Sequence, residues 1–153
     1  MRVKVVNRIL SRGDQTQIPL LAKVFVSNLK SRLKSVDLII PMPPSKHRSF
    51  QPIVELAKVI ANKMELLFFD DILVKSKGTV QMKDNSKDLD RIDILKNSFV
   101  ISDEIEGDVP WDALIIDDVY STGSSLNAAA MTLQTYQKIR NIYVAAFSRT
   151  KKS

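Results

Sequence analysis

The chain has 153 residues, enough for a substantial core, and we expect a single domain over residues 1–153. It has no cysteine and one histidine, which excludes disulfides and thiolate metal sites and argues against a zinc centre. Its formal net charge of +6 favours anionic partners such as phosphate-bearing molecules, nucleic acid or an acidic membrane surface.

The first half of the chain predicts strands that alternate with amphipathic helices. It begins without the apolar block of a secretion signal, and no apolar run approaches the roughly 20 residues that cross a bilayer. We therefore expect a cytoplasmic protein that does not enter the membrane. In order, the predicted elements are a strand at 3–9, a turn at 11–14, a helix from Ile18 to Leu33, a buried strand at 36–40 that prolines halt, a basic loop at 45–51, and a helix from Ile53 to Met64.

The second half continues the alternation after a polar interruption. In order, it predicts one interrupted strand or two short ones at 66–69 and 72–74, a mobile loop at 75–91, a short strand at 99–101, an exposed acidic segment at 103–108, a long apolar strand from 113, a helix carrying Leu126, Ala130 and Leu133, and a buried strand at 142–147. Such alternation predicts an α/β fold with a mostly parallel sheet.

Chemistry-bearing residues follow four of the predicted strands. They lie at 41–48, 75–77, 117–125 and 148–150, and three of these segments contain basic residues. Because ligands of open α/β sheets bind beyond the carboxyl ends of the strands, the segments are expected to converge. Together they suit one ligand with a sugar and several phosphates.

The segment after the long apolar strand is the most informative. Two adjacent carboxylates, Asp117 and Asp118, precede a hydroxyl-rich turn with one glycine, Gly123, and then a helix. A strand, a tight turn and a helix start together expose N–H groups at the positive end of a helix dipole, which is a phosphate seat. Ser121, Thr122 and Ser124 are predicted helix N-caps. The carboxylates would repel phosphate, whereas they suit the hydroxyls of a sugar.

Two common nucleotide-binding motifs do not fit this segment. A P-loop requires a Gly-Lys pair that this chain lacks, and the dinucleotide fingerprint requires clustered glycines, which here are scattered. A capped turn between a strand and a helix, without any ligand, is the structural alternative for the acid pair taken alone.

The stretch 117–123, Asp-Asp-Val-Tyr-Ser-Thr-Gly, resembles the phosphoribosyl pyrophosphate (PRPP) motif of type I phosphoribosyltransferases. It is especially similar to the ComF-like branch, named for a bacterial competence protein, although the N-terminal cysteine pairs of many members are absent. The resemblance implies a three-layer sandwich with a small hood. It also implies that the catalytic Asp117 and Asp118 bind the ribose. The implied ribose-5-phosphate site comprises Val119, Tyr120, Ser121, Thr122, Gly123, Ser124 and Ser125.

The resemblance extends to the pyrophosphate side. Segment 40–43, Ile-Pro-Met-Pro, is similar to the family's pyrophosphate-cradling turn, and Arg149 is similar to the arginine of its closing strand. Ser49, Gln51 and the Asp93-Ile94 pair depart from the family pattern. The implied pyrophosphate ligands are Pro43, Pro44, Ser45, Lys46, Arg48, Lys75 and Lys77, with Gln81, Lys83 and Arg91 in the same mobile region.

Four further features of the chain each admit a functional and a structural role. His47 either contacts the ligand or is a solvent-exposed loop residue, and the loop lysines either bind pyrophosphate or are solvated. Trp111 fits packing better than base stacking. Tyr120, which we predict inside the phosphate turn, either contacts the ribose edge or packs.

The resemblance implies a Mg²⁺-dependent enzyme that transfers ribose 5-phosphate from PRPP to a nitrogenous acceptor and releases pyrophosphate, with no metal held by the protein alone. The alternative is a catalytically silent PRPP- or nucleotide-binding module linked to DNA uptake or regulation. A plain nucleic-acid binder is disfavoured because no aromatic-basic platform is evident. Homodimers are common in that family, and the oligomeric state and the acceptor of this chain are left open.

Overall fold

The computed structural model describes residues 14–33, 35–45, 49–76, 97–102 and 105–150. Its helices are α1 (Ile18–Lys30), α2 (Pro52–Met64) and α3 (Ser124–Gln134), with a short 3₁₀ turn at Gln15–Gln17. Its strands are β1 (Leu38–Pro41), β2 (Leu67–Phe68), β3 (Leu73–Lys75), β4 (Phe99–Ile101), β5 (Trp111–Tyr120) and β6 (Ile139–Arg149). The predicted α/β class is confirmed.

The central sheet has the order β2-β1-β5-β6, and all of its paired strands are parallel. Strand β1 pairs with the apolar half of β5, with Leu38 opposite Ala113 and Pro41 opposite Ile116. Strands β3 and β4 form a separate antiparallel pair. The predicted mostly parallel sheet is therefore confirmed, and the two short apolar segments at 66–74 become strands of different sheets.

Helices and the β3–β4 pair cover the two faces of the sheet, which gives three layers. On one face, Ile39, Leu114 and Ile116 pack among the apolar residues of α1 and α2. On the other face, Ile40 and Ile115 pack against α3, β3 and β4. Since successive residues of a strand point to opposite faces, an uninterrupted apolar run is what a strand buried on both faces requires.

The structure confirms the two helices predicted in the first half of the chain, and their apolar residues face the sheet. Leu21, Ala22 and Leu29 face the sheet from α1, and Leu56 and Ile60 do so from α2. Both helices carry a proline in the first turn, where the missing N–H has no intrahelical partner anyway. The sheet-facing side of α1 also stacks Phe25 on Phe147 of β6, with ring centroids 4.1 Å apart.

The last strand differs from its prediction as a fully buried element. Strand β6 is longer than predicted, and Val144 in its middle is 49% exposed. Among the described residues β6 pairs with β5 alone, so one of its edges is not covered by another described strand. An apolar sequence does not distinguish an edge strand from a central one, because both keep one packed face.

Some of the predicted elements fall outside the described residues. They are the strand at 3–9, most of the turn at 11–14, most of the loop at 75–91, and part of the hood. In the described part of the chain, no helix combines the length and the apolar character that a membrane crossing requires.

Candidate functional site

The carboxylate pair lies at the carboxyl end of β5, inside the strand rather than after it. Asp117 is in register with Ala146 of β6, and its Oδ1 accepts a hydrogen bond of 2.8 Å from the backbone N–H of Asp118. Both side chains are half-buried. The pairing with β6 therefore holds two adjacent acids on a rigid element at the sheet edge where ligands of such folds bind.

The environment of Asp117 favours its neutral form. Burial raises the pKa of Asp117 to about 6, and the neighbouring Asp118 carboxyl also raises it, whereas the Asp118 backbone N–H and the charge of Lys75 lower it. A carboxyl in this state exchanges its proton close to neutral pH. Perturbed titration of this kind is characteristic of functional sites, although structural acids show it as well.

Ser148 and Thr150 tie the end of β6 to the acid-bearing part of β5. Ser148 is buried, and its Oγ donates to the backbone oxygen of Asp118 at 3.1 Å. The N–H of Thr150 donates to the oxygen of Tyr120 at 3.0 Å. The sequence analysis includes Ser148 in the strand-end segment 148–150 but assigns it no role of its own. Its only sequence signal is a hydroxyl directly after an apolar strand.

The turn between β5 and α3 has the form expected of an anion-binding site, but its N-cap residue differs from the prediction. Gly123 is the residue that precedes the helix, at φ 80° and ψ −3°, so the N-cap position has no side chain. The predicted N-caps Ser121, Thr122 and Ser124 therefore do not act as such. The reason is that the left-handed conformation at this position suits glycine, which offers the helix no side-chain oxygen.

The hydroxyl groups of the turn remain available at its surface. The turn and the start of α3 carry four exposed hydroxyl residues, Ser121, Thr122, Ser124 and Ser125. The Thr122 and Ser124 hydroxyls lie 2.8 Å apart in a mutual hydrogen bond, and the Ser124 N–H points at Thr122 Oγ1 from 3.4 Å. The turn thus places exposed hydroxyls next to the amino end of a helix of 11 residues.

Tyr120 is the last residue of β5, so its predicted place inside the turn is wrong. Hydrogen bonding of its carbonyl by Thr150 continues the strand to this residue. Its ring folds over the turn, since a Cβ added at Gly123 would lie 2.6 Å from Tyr120 Oη. The Arg149 guanidinium lies 5.7 Å from the ring centroid, which is a cation–π contact. The packing role of this tyrosine is therefore observed.

Two predicted pyrophosphate ligands from distant segments meet. Lys75 Nζ at the end of β3 donates to Ser45 Oγ at 2.6 Å, and the charge of Lys75 acts on Asp117. Pro43 and Pro44 follow β1 and are half-buried, next to the Met42 N–H that donates to Ile116 O at 2.8 Å. The structure therefore joins the loop after β1 to the end of β3 through this cation. Lys46, His47, Arg48, Lys77, Gln81, Lys83 and Arg91 lie outside the described residues.

At the opposite end of the sheet, the structure shows a polar cluster that sequence reasoning missed. The buried Asp112 accepts from Arg140 Nε at 2.9 Å, from Arg140 Nη2 at 3.0 Å, and from the Asn141 amide at 2.8 Å. Ser35 Oγ adds a contact of 3.1 Å. The Arg140 hydrogen bonds hold the pKa of Asp112 down at about 2, against the opposing effect of burial. With its partners satisfied, this cluster is structural.

Trp111 also belongs to this end of the sheet. It is the first residue of β5 and packs against the hydrophobic core between the sheet and α3. The expectation that it packs rather than stacks on a base agrees with this position, away from the carboxylates.

Comparisons with known proteins identify the fold. The chain resembles an adenine phosphoribosyltransferase (TM-score 0.56, 16% identity, covering 93% of this chain and 74% of that one). It also resembles a hypoxanthine phosphoribosyltransferase from Staphylococcus aureus (0.52, 12%, 90% and 76%). A third is the glutamine PRPP amidotransferase from B. subtilis (0.58, 11%, 86% and 26%). No protein-family model and no curated protein matches the sequence. At these identities the likeness shows the fold, which is that of type I phosphoribosyltransferases.

Proposed function

We propose that the protein binds PRPP and transfers its ribose 5-phosphate to a nitrogen acceptor, with release of pyrophosphate. One observation carries the proposal. A carboxylate pair and the glycine turn that begins α3 lie at the carboxyl end of the parallel sheet, where the loop after β1 brings Ser45 into a hydrogen bond with Lys75 of the antiparallel pair. The charge of Lys75 slightly lowers the pKa of Asp117, which supports assigning the acid and the cation to one site. A sugar with a phosphate on one side and a pyrophosphate on the other matches that arrangement.

The solved structures of the same fold support this class of ligand. Their names include phosphoribosyltransferases for adenine and hypoxanthine and an amidotransferase that uses PRPP. A nucleobase or an amine is therefore the class of acceptor that we propose. Within the class we propose the ComF-like branch, because the stretch Asp-Asp-Val-Tyr-Ser-Thr-Gly at 117–123 carries its motif.

Each part of the site then has one task. The Asp117 and Asp118 carboxylates accept hydrogen bonds from the ribose hydroxyls, and the hydroxyls of the turn, together with the amino end of α3, bind the 5′-phosphate. Lys75 and Ser45 bind the pyrophosphate. The bond between C1 and the pyrophosphate oxygen breaks, and its electron pair leaves with pyrophosphate. The acceptor nitrogen forms the new bond to C1 with inversion through an oxocarbenium-like state, and the proton that it carries passes to water. The protein contributes orientation and charge stabilisation.

Mg²⁺ is proposed to accompany PRPP, and the donor set at the site fits it in part. Two carboxylates are oxygen ligands of the kind that Mg²⁺ prefers. The described part of the chain contains no group of three or more side chains that would hold a metal alone. We therefore propose that Asp117 or Asp118 holds the ion jointly with oxygens of PRPP and water. When bound, it supplies neutralisation of the leaving pyrophosphate.

The test is a pyrophosphate-release assay with Mg²⁺ and PRPP against a panel of nucleobases and amines. Release is expected with at least one acceptor, and Asp117→Asn and Asp118→Asn are each expected to abolish it with an unchanged circular dichroism spectrum. Asp108→Asn, in an exposed loop, is the matched control. Unchanged release in both site variants contradicts the proposal. PRPP binding by calorimetry without release for any acceptor supports the silent module instead.

A further inference from the structure

An exposed arginine lies beside the turn that begins α3. Arg149 is the last residue of β6 and is in register with Tyr120, the last residue of β5. On one side of it, Ser148 Oγ donates to the Asp118 carbonyl at 3.1 Å. On the other side, the Thr150 N–H donates to the Tyr120 carbonyl at 3.0 Å. The backbone of Arg149 is therefore fixed to the strand that carries the acid pair.

The Tyr120 ring connects this arginine to the turn. The Arg149 guanidinium lies 5.7 Å from the ring centroid, and the hydroxyl end of the same ring covers Gly123, the N-cap of α3. Tyr120 and Arg149 share one face of the sheet, because they follow Ile116 and Phe147 by an even number of residues. Those two residues pack under α1 and α2. The ring thus bridges the cation and the glycine of the turn.

The charges around the turn show why a cation is needed there. A phosphate monoester carries about −1.5 to −2 charges at pH 7, whereas residues 117–125 contain two acids and no base. Helix α3 has no charged residue, so its amino end offers only the partial charge of the helix dipole. In the proposed site Lys75 serves the pyrophosphate. Arg149 forms no ion pair with any carboxylate in the described part of the chain, so its charge is available to the phosphate.

We propose that Arg149 binds the 5′-phosphate of PRPP and that Tyr120 positions it. This inference rests on the proposed function and adds a cation to its phosphate side. A guanidinium donates two parallel hydrogen bonds to phosphate oxygens and stays protonated at every pH at which the protein is folded. The ring face holds the guanidinium beside the turn before the ligand arrives, so that less side-chain freedom is lost on binding. The site then selects phosphorylated sugars over free ones.

Calorimetry with ribose 5-phosphate and, separately, with pyrophosphate tests the role of Arg149. Arg149→Met removes the charge and keeps an unbranched side chain. It is expected to weaken the binding of ribose 5-phosphate by about tenfold or more. Pyrophosphate is expected to bind to this variant with its wild-type affinity, which also shows that the variant is folded. Arg32→Met, at an exposed arginine after α1, is the matched control and is expected to bind both ligands as the wild type does.

Tyr120→Leu tests the positioning role, because it removes the ring face and keeps an apolar side chain. The affinity for ribose 5-phosphate is expected to fall by about threefold in the wild-type background and not to fall further in Arg149→Met. A ring that only supports the turn would weaken binding equally in both backgrounds, and that result refutes the positioning role. Tyr120→Phe, which keeps the ring face, is expected to recover most of the loss.

An Arg149→Met variant that binds ribose 5-phosphate as the wild type does overturns the proposal, and so does one that loses pyrophosphate affinity instead. Either result leaves the proposed function to its own assay of pyrophosphate release. A wild type with no affinity for either ligand contradicts the proposed function together with this inference.

Discussion

Lys75 donates a hydrogen bond of 2.6 Å to Ser45, although thirty positions separate the two in the chain. The contact joins the end of β3, in the small antiparallel pair, to the loop that follows β1 in the main sheet. Its significance lies in the third partner, Asp117, whose pKa the charge of Lys75 lowers. This electrostatic effect connects the residue predicted to bind pyrophosphate with the acid predicted to bind the ribose, and both assignments stay predictions.

The first prediction concerns this lysine. Lys75→Gln removes a charge-assisted contact, which is typically worth about 1.5–3 kcal/mol. We therefore expect pyrophosphate to bind at least about tenfold more weakly, as measured by calorimetry at pH 7.5. Lys58→Gln, at an exposed position of α2, is the matched control and should bind as the wild type does. Equal affinity in the two variants would remove Lys75 from the site.

The second prediction concerns the stability cost of Asp117. Its pKa is raised from 3.8 to about 6 in the folded protein, so the folded state retains a proton that the unfolded state has lost. Stability therefore falls as the pH rises through that window. Asp117→Asn, which has no proton to lose, is expected to be more stable than the wild type at pH 8 by about 1–2 kcal/mol, after allowance for solvent screening.

Urea unfolding at pH 4 and pH 8 measures this effect. The gain of Asp117→Asn should be present at pH 8 and largely absent at pH 4, where the wild-type carboxyl is neutral in the folded state. Asp108→Asn, at an exposed acid, should show no such difference. A gain of equal size at both pH values would refute the assignment of the cost to ionisation.

The third prediction separates the two constraints on Gly123. Gly123→Ala incurs strain from the positive φ and also a clash with the Tyr120 ring, whereas Gly107→Ala incurs only strain, because at φ 88° nothing lies within 4 Å of the added Cβ. We expect Gly107→Ala to cost about 1 kcal/mol and Gly123→Ala roughly twice that.

A double-mutant cycle with Tyr120→Ala isolates the clash. The extra cost of Gly123→Ala over Gly107→Ala should disappear when the ring is absent, as measured by denaturant midpoints at constant slope. Additive effects of the two substitutions would mean that the ring moves aside freely.

The fourth prediction concerns Asp112 at the far end of the sheet. Hydrogen bonds from Arg140 lower its pKa to about 2, so the folded state is stabilised above pH 4 and loses that contribution as the pH falls through 2. Asp112→Asn is expected to lower the melting temperature at pH 7 and to flatten its acid dependence between pH 4 and pH 2. Since this cluster lies away from the carboxylates of the site, PRPP binding should be unchanged.

Asp71→Asn, at an exposed acid, is the control for Asp112→Asn and should leave the pH dependence of melting intact. A loss of PRPP affinity in Asp112→Asn without loss of folding would contradict a purely structural role for the cluster.

The α/β class and the place of the acid pair at the end of a buried strand were both predictable from local patterns in the sequence. Both rest on local signals: the uninterrupted apolar run at 113–116 and the single glycine before α3. Hydrophobic periodicity is a property of neighbours in the chain, and the left-handed turn at Gly123 is one that few residues other than glycine adopt readily. The sequence did not show that Gly123, rather than one of three nearby hydroxyl residues, occupies the N-cap position of α3, because each of those hydroxyl residues is also a good N-cap.

Contacts between distant segments could not be predicted in this way, because they depend on the tertiary fold. The contact of Lys75 with Ser45, the hydrogen bond from Ser148 to the Asp118 carbonyl, and the Arg140–Asp112 pair each join separate segments. The order of the strands in the sheet determines which segments contact each other, and that order cannot be inferred from a local sequence pattern. The partial exposure of β6 was unpredictable for the same reason. An apolar strand has the same sequence pattern at the centre and at the edge of a sheet, and its exposure depends on which elements pack beside it.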